Sequence, residues 1–333
     1  MTDRHPGEHR DPLASTGSPL VGRRPTPGPI AILPTDNEVY ADAVRAAGGV
    51  VAPLSDDTRG LIWLNLDGPA LQSTLAAHPG IGWVQLPLAG VEAFAELLEA
   101  QGDAALPVWT SAKGAFSEPV AEQAVTLALA VLRGLPEKSR STTWAQPQTG
   151  ISLFGRRVVI VGAGGIAREI MRLLAPWQVS ITIVRRSADA LAGADRTVAA
   201  ADLASVLPDA DVVILAAAAT ADTKHLIGAA ELAAMMPSAA LVNIARGQLI
   251  DQDALVATLA SGHLAGAGLD VTTPEPLPDG HPLWSAPRVV ITSHSADTPD
   301  MVEPLLAERI RGNVTAFLGD SAFIGTVDPR AGY

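Results

Sequence analysis

Short apolar runs alternate with helix-compatible stretches along most of the chain, and that alternation predicts an α/β protein. From Pro29 the runs PIAILP, GLIWLNL, GWVQLPL and LPVWT read as strands of a parallel sheet, with EVYADAVRAAG and ALQSTLAAH as helices between them. Gly48-Gly49 and Pro79-Gly80 punctuate the boundaries. Glu118 to Leu135 is the longest helical pattern, apolar around much of its circumference, which predicts burial against something large and a helix crossing between two domains. The polar stretch from Pro136 to Gly150, with Trp144 embedded, reads as an arm or linker. A second series of strands follows, SITIV, DVVILAA, AALVNIA, LAGAGLDV and RVVITS, separated by helical segments such as AAELAAMM and QDALVATLASG. Asp300 to Leu318 is helical by pattern and is expected to pack back on the amino-terminal lobe.

At the head of the second series, VVIVGAGGIA breaks from a strand into a glycine-rich turn and then into the helix pattern REIMRLLAPW. That order suits a dinucleotide. Gly162 permits the tight turn, Gly164 lets backbone N–H groups approach a pyrophosphate, and Ala167 holds the small position where helix and strand pack closely. A turn of this kind also ends buried strands that bind no nucleotide, so the neighbouring residues must carry the rest.

Composition narrows the classes. With 333 residues, 48 % hydrophobic and 17 % charged, the chain suffices for two domains with proper cores. A net charge of -12 argues against a nucleic-acid surface, although the first segment is locally basic at Arg23 and Arg24. The absence of cysteine removes thiolate nucleophiles and Cys-ligated zinc and fits a cytoplasmic enzyme. No apolar run approaches the roughly 18 residues of a membrane span, and the opening residues lack the apolar core of a secretory signal. Residues 1–28 are expected to form a disordered tail.

Three residues fall in loops after strands of the second series, the side of a parallel sheet where ligands bind. Arg246 follows LVNIA, Glu275 follows GLDV within TTPEPLP, and His294 follows VVITS. An arginine grips a carboxylate bidentately, a histidine exchanges a proton near neutral pH, and a carboxylate beside it orients the imidazole. Together they suit a 2-keto acid. Singly, Arg246 could cap carbonyls at a turn, Glu275 could be a solvated turn residue, and His294 a hydrogen-bonded loop residue. His263 and His281 belong to a helix end and a Pro-containing loop, and no His-Glu cluster has metal-ligand spacing, so no metal is expected.

Taken in order, these segments resemble the D-isomer-specific 2-hydroxyacid dehydrogenases, and the likeness covers nearly the whole chain beyond the tail. GAGGIA is similar to that family's cofactor loop, VNIARGQLIDQDAL to its arginine motif, AGAGLDVTTPEPLPDGHPLW to its glutamate motif and TSHSADTP to its histidine motif. LAGVEAF resembles its substrate-carboxylate loop and PVAEQAV its interdomain helix. The resemblance implies two doubly wound parallel-sheet lobes, with a Rossmann dinucleotide-binding domain at 117–297 inserted in a flavodoxin-like substrate-binding domain at 29–116 and 298–333. It implies a small 2-keto acid as substrate, of the glyoxylate or hydroxypyruvate type, reduced to a D-2-hydroxy acid. Arg246 would bind the substrate, His294 would be the general acid and Glu275 its partner, while backbone amides at Ala89, Gly90 and Val91 would hold the substrate carboxylate in a cleft between the lobes. Gly162, Gly164, Gly165, Ile166, Thr223, Ala245 and Asp270 would line the cofactor, Asp270 beside the nicotinamide amide. A homodimer through the cofactor lobe, with Glu118–Leu135 and the Trp144 arm as contact, is implied as well.

Two departures stand out: Ser293 replaces the usual proline before the histidine, and AAAAT at Ala216 to Thr220 lacks the usual proline after the fourth strand. The second strand of the cofactor lobe ends in Arg185, Arg186 and Ser187, with Arg185 21 positions after Gly164, where an NAD enzyme places an acidic residue about 20 residues on. Two guanidinium groups and a hydroxyl would bind a 2′-phosphate, so NADP is the expected cofactor, with NAD possible. Two alternatives stay open: a phosphoglycerate-type dehydrogenase, which Asp56 and Asp57 beside Arg59 disfavour, and a dinucleotide-sensing dimer without catalysis, which would have no use for Arg246, Glu275 and His294.

Overall fold

The computed structural model describes residues 24–102, 104, 106–144 and 148–328. The described residues divide into two compact units, one before residue 117 and after 298, the other of 117–298. Most of the expected tail, residues 1–23, lies outside the described residues; of its remainder, Pro25 is buried beside Gly82.

The first unit is built on four parallel strands, β1 (Ile30–Leu33), β2 (Gly60–Trp63), β3 (Trp83–Gln85) and β4 (Val108–Thr110), in that spatial order. Val51 adds an isolated parallel bridge to Ile30. Counting that bridge as a rudimentary strand, the order is 2-1-3-4-5, the flavodoxin-like winding. Helices α1 (Glu38–Ala46), α2 (Gly68–Ala77) and α3 (Ala95–Gln101) connect the strands. Asn37 and Asp67 cap the first two, their side-chain oxygens accepting the N–H groups of Tyr40 and Ala70. The long helix Pro299–Leu318 packs against α1 and places Phe317 over Trp83, ring centroids 5.2 Å apart. Its Asn313, wholly buried, donates to Gln85 Oε1 at 2.8 Å and accepts from Ile324 N at 2.7 Å, so both ends of the amide it takes out of water are paired.

The second unit opens with α4 (Ser117–Leu132), which stops short of the expected Leu135 because Gly134, in the left-handed region, separates it from the short α5 (Leu135–Lys138). Its sheet has seven parallel strands: β5 (Arg157–Val161), β6 (Ser180–Arg185), β7 (Arg196–Ala199), β8 (Val212–Leu215), β9 (Ala240–Asn243), β10 (Gly266–Leu269) and β11 (Val289–Ile291). The spatial order β7-β6-β5-β8-β9-β10-β11 is the 3-2-1-4-5-6 winding of a dinucleotide-binding sheet, extended by one strand. The order reverses between β5 and β8, and that switch point is where such sheets bind ligands. Helices α6 (Gly165–Leu174), α7 (Ala229–Ala234) and α8 (Gln252–Ala260) cover the faces. The apolar circumference of α4 is taken up by α6 and by β9, β10 and β11. Gly268 of β10 makes room for it, since a Cβ there would lie 2.7 Å from Leu127 Cβ. Among the described residues no helix is long and apolar enough to cross a membrane.

Candidate active site

The loops leaving the carboxyl ends of β5, β6, β9, β10 and β11 carry the expected chemistry of the second unit. At β5, Gly162 has φ +125°, and a Cβ there would overlap the carbonyl oxygen of Ala216 at the end of β8, so glycine is required on both counts. Nothing lies within 4 Å of the Cβ position of Gly164, which forms the N-cap of α6 without any side-chain hydrogen bond. The first N–H groups of α6, at Gly165 and Ile166, therefore face an open cradle at the positive end of a helix dipole, which fits a pyrophosphate. Ala167 is fully buried at the helix–strand contact. Arg185 is half-buried and Arg186 exposed where β6 ends, and the Ser187 hydroxyl donates to Asp189 Oδ2 at 2.7 Å. After β8, Thr223 closes the Ala216–Thr220 loop by donating to Ala218 O at 2.9 Å and accepting from Thr220 N at 2.7 Å.

Arg246 follows β9 in an extended conformation, its carbonyl bonded by Asn243 Nδ2 at 2.9 Å while Asn243 Oδ1 accepts from Ala245 N at 3.0 Å. Its guanidinium also donates to Ala245 O at 2.8 Å, as a turn-capping arginine would. Gly247 next to it lies so close to the Thr272 carbonyl that any side chain would overlap it, which locks the arginine loop onto the start of the glutamate loop. That second loop is held from α8: Gln252 accepts from Thr273 N at 2.9 Å and donates to Thr273 O at 2.7 Å.

Glu275 is exposed in its turn yet bonded through both carboxylate oxygens. Its Oε1 accepts from Thr272 N at 2.9 Å, and its Oε2 meets His294 Nδ1 at 2.9 Å. A carboxylate so placed takes the Nδ1–H, leaving Nε2 as the nitrogen able to exchange a proton with a ligand. Both side chains keep part of their surface accessible, 48 % for His294 and 38 % for Glu275, so the pair is reachable.

His294 itself sits in the left-handed region at φ 50°, a conformation that costs a non-glycine residue about 1 kcal/mol or more. Asp270, only 2 % exposed, holds it there. Its carbonyl accepts His294 N at 2.8 Å. Its carboxylate accepts Ser295 N at 3.1 Å, Ala296 N at 3.2 Å and the Thr292 hydroxyl at 2.5 Å, so the turn is fixed from both sides. Thr292 in turn accepts from Gln123 Nε2 of α4 at 3.0 Å. The resemblance places Asp270 beside the nicotinamide amide; the structure gives its carboxylate this bracing set of partners.

The sequence reading missed Asn243, Gln252, Thr292, Gln123 and Asp297. For Asn243 a signal existed, an amide ending the apolar run AALVN, and the structure buries it fully. Asp297 stands three residues after His294, and burial pushes its carboxyl above the usual range. The charge of His294 lowers it, that of Asp270 raises it, and Arg246 lowers it further, so all four groups share one electrostatic neighbourhood. Among the described residues, no group of three or more His, Cys, Asp or Glu is placed to hold a metal ion.

In the first unit, the loop after β3 carries Ala89, Gly90 and Val91. Among the described residues their backbone N–H groups find no acceptor. Successive unpaired amides of this kind suit a carboxylate. The Val91 side chain is buried beside Phe94 in the core of the unit, which anchors the loop.

Residues 125–296 match the sequence profile of the D-isomer specific 2-hydroxyacid dehydrogenase, NAD binding domain. An uncharacterized protein in the proB 3′ region of Corynebacterium melassecola is 36 % identical over 258 residues, 76 % of this chain and 84 % of that one. The glyoxylate reductase/hydroxypyruvate reductase of Mus musculus is 34 % identical over 54 % of this chain and 58 % of its own length, so the likeness spans little more than half of that enzyme. Among solved structures, the D-isomer specific 2-hydroxyacid dehydrogenase from Xanthobacter autotrophicus Py2, in complex with NADPH and MES, superimposes with a TM-score of 0.76 at 25 % identity, over 92 % of this chain and 100 % of that one.

Proposed function

Because the chain belongs to the D-isomer specific 2-hydroxyacid dehydrogenase family, an oxidoreductase family that uses a nicotinamide dinucleotide, we propose that it reduces a small 2-keto acid of the glyoxylate or hydroxypyruvate type to the D-2-hydroxy acid, with NADPH preferred. The observation that carries this reading is the His294 Nδ1–Glu275 Oε2 contact of 2.9 Å, in the neighbourhood of Arg246 and at the ligand-binding ends of the strands. Arg246 binds the substrate carboxylate and carbonyl through its planar fork. The amides of Ala89, Gly90 and Val91 are assigned to a substrate carboxylate. His294 gives its Nε2 proton to the carbonyl oxygen, while Glu275 holds Nδ1–H and orients the ring. When bound, the nicotinamide supplies the hydride. Gly162, Gly164, Gly165, Ile166, Thr223, Ala245 and Asp270 are assigned to the dinucleotide, and Arg185, Arg186 and Ser187 to its 2′-phosphate. Domain roles follow: 29–116 with 298–333 for the substrate, 117–297 for the dinucleotide. We also assign a cytoplasmic homodimer, to be checked by light scattering.

The test is a panel of 2-keto acids assayed with NADPH and with NADH. Turnover of glyoxylate or hydroxypyruvate, with a higher kcat/KM for NADPH, is expected, and His294→Ala should lower kcat by about 10²–10⁴-fold. Full turnover by His294→Ala would remove the catalytic assignment. Equal or better use of NADH would remove the cofactor preference. Tight NADPH binding without turnover of any keto acid would favour a dinucleotide sensor.

A further inference from the structure

We propose that Thr292, held by Gln123 of α4, is a positioning residue that sets the orientation of the His294 imidazole. The inference rests on the proton-donating role given to His294 above. His294 occupies the left-handed region, φ 50°, which is uncommon for a non-glycine residue although histidine visits it more often than most, and local contacts hold it there. The imposing group is the Asp270 carboxylate, which gathers the successive N–H groups of Ser295 and Ala296 at 3.1 and 3.2 Å.

A buried carboxylate can do this only if its own rotamer is fixed. The Thr292 hydroxyl fixes it, donating to Oδ1 at 2.5 Å. The direction of that hydroxyl is fixed in turn, because Gln123 Nε2 donates to Thr292 Oγ1 at 3.0 Å and leaves the O–H free to point only at Asp270. The relay Gln123, Thr292, Asp270 therefore ends on the backbone that aims His294 Nδ1 at Glu275. Gln123 and Thr292 also lie near the two points where the chain enters and leaves the second unit, at 116/117 and 298/299, so one hydrogen bond ties both segments together. The PVAEQAV segment, which in the sequence resembles the family's interdomain helix, thus supplies the anchor of the catalytic loop.

The test uses the full chain with Thr292→Val, Thr292→Ser and Gln123→Ala, each checked for folding by circular dichroism. Two readouts are taken. The first, on protein without substrate, is the downfield proton resonance of His294 Nδ1–H in its bond to Glu275, identified by its loss in His294→Ala. The second is kcat and KM with a 2-keto acid. Thr292→Val should lose or broaden the resonance and lower kcat about tenfold while leaving the KM for the 2-keto acid within about twofold, because geometry rather than binding is lost. Thr292→Ser should restore both. Gln123→Ala, which removes only the anchor, should broaden the resonance and serves if the valine variant does not fold.

A resonance unchanged in Thr292→Val, or unchanged in Gln123→Ala where the valine variant fails to fold, overturns the proposal. So does a serine variant as impaired as the valine, which would mean lost packing rather than a lost hydroxyl, or a wild type without the resonance. If the wild type turns over no keto acid yet the resonance responds as expected, the positioning role stands and the proposed reaction falls.

Discussion

Asp297 illustrates how single residues of this site respond to their surroundings. Burial raises its carboxyl above the ordinary value, chiefly because its charged form is poorly solvated there. With a folded-state value above the unfolded one, the stabilisation linked to this group is complete below the unfolded value, about 3.9, and is lost as pH rises through the folded value. Asp297→Asn cannot titrate. Its melting temperature relative to the wild type should therefore climb as pH rises from about 4, and a series of thermal melts upward from there checks the sign; a difference falling with pH would contradict it. Close packing rather than charge explains why Gly247 stands beside Arg246. The Thr272 carbonyl fills the space of a side chain, so the arginine and glutamate loops share one backbone contact.

Among the elements, α4 has the role that packing rather than propensity gives it. Its apolar circumference is shared between α6 and the strands β9, β10 and β11, and the approach to β10 depends on Gly268. Gly268→Ala would put a Cβ 2.7 Å from Leu127 Cβ, an atom fixed to the helix backbone, so the helix must move. We expect a loss of about 1–3 kcal/mol, the usual cost of overpacking, read as a lower melting temperature. Because α4 carries Gln123, a shift of the helix should also lengthen the bond to Thr292. An unchanged melting temperature would show that the helix relaxes freely.

At the scale of the whole molecule, the two units have separate cores and separate parallel sheets, and the dinucleotide features lie wholly in the second. A ligand that binds only the folded form adds about 2.7 kcal/mol at a hundred times its Kd. For a unit of this size that corresponds to roughly 5–10 °C in melting temperature. Calorimetry should show such a rise with NADPH, and a smaller one with NADH at the same concentration if Arg185 and Arg186 hold a 2′-phosphate. No rise with either dinucleotide would count against the cradle at Gly164.

The sequence by itself determined the class of fold and the loops in which the chemistry lies. Apolar runs with glycine and proline at their ends are local signals, and a parallel strand buried on both faces reads as a near-continuous apolar run. It passed over β7, whose RTVA has a single buried residue, Val198, and α3, whose short AELLEAQ follows directly on a 3-10 turn. It read α4 as running to Leu135, whereas Gly134 in the left-handed region ends it at Leu132. Arg246, Glu275 and His294 were legible as residues after strands. Only the tertiary structure decided that Glu275 faces His294, that Asp270 braces the histidine turn, and that Thr292 and Gln123 hold Asp270 in place. Those contacts join residues up to 169 positions apart, and a hydrogen bond depends on distance and direction in space, which hydrophobic periodicity does not encode.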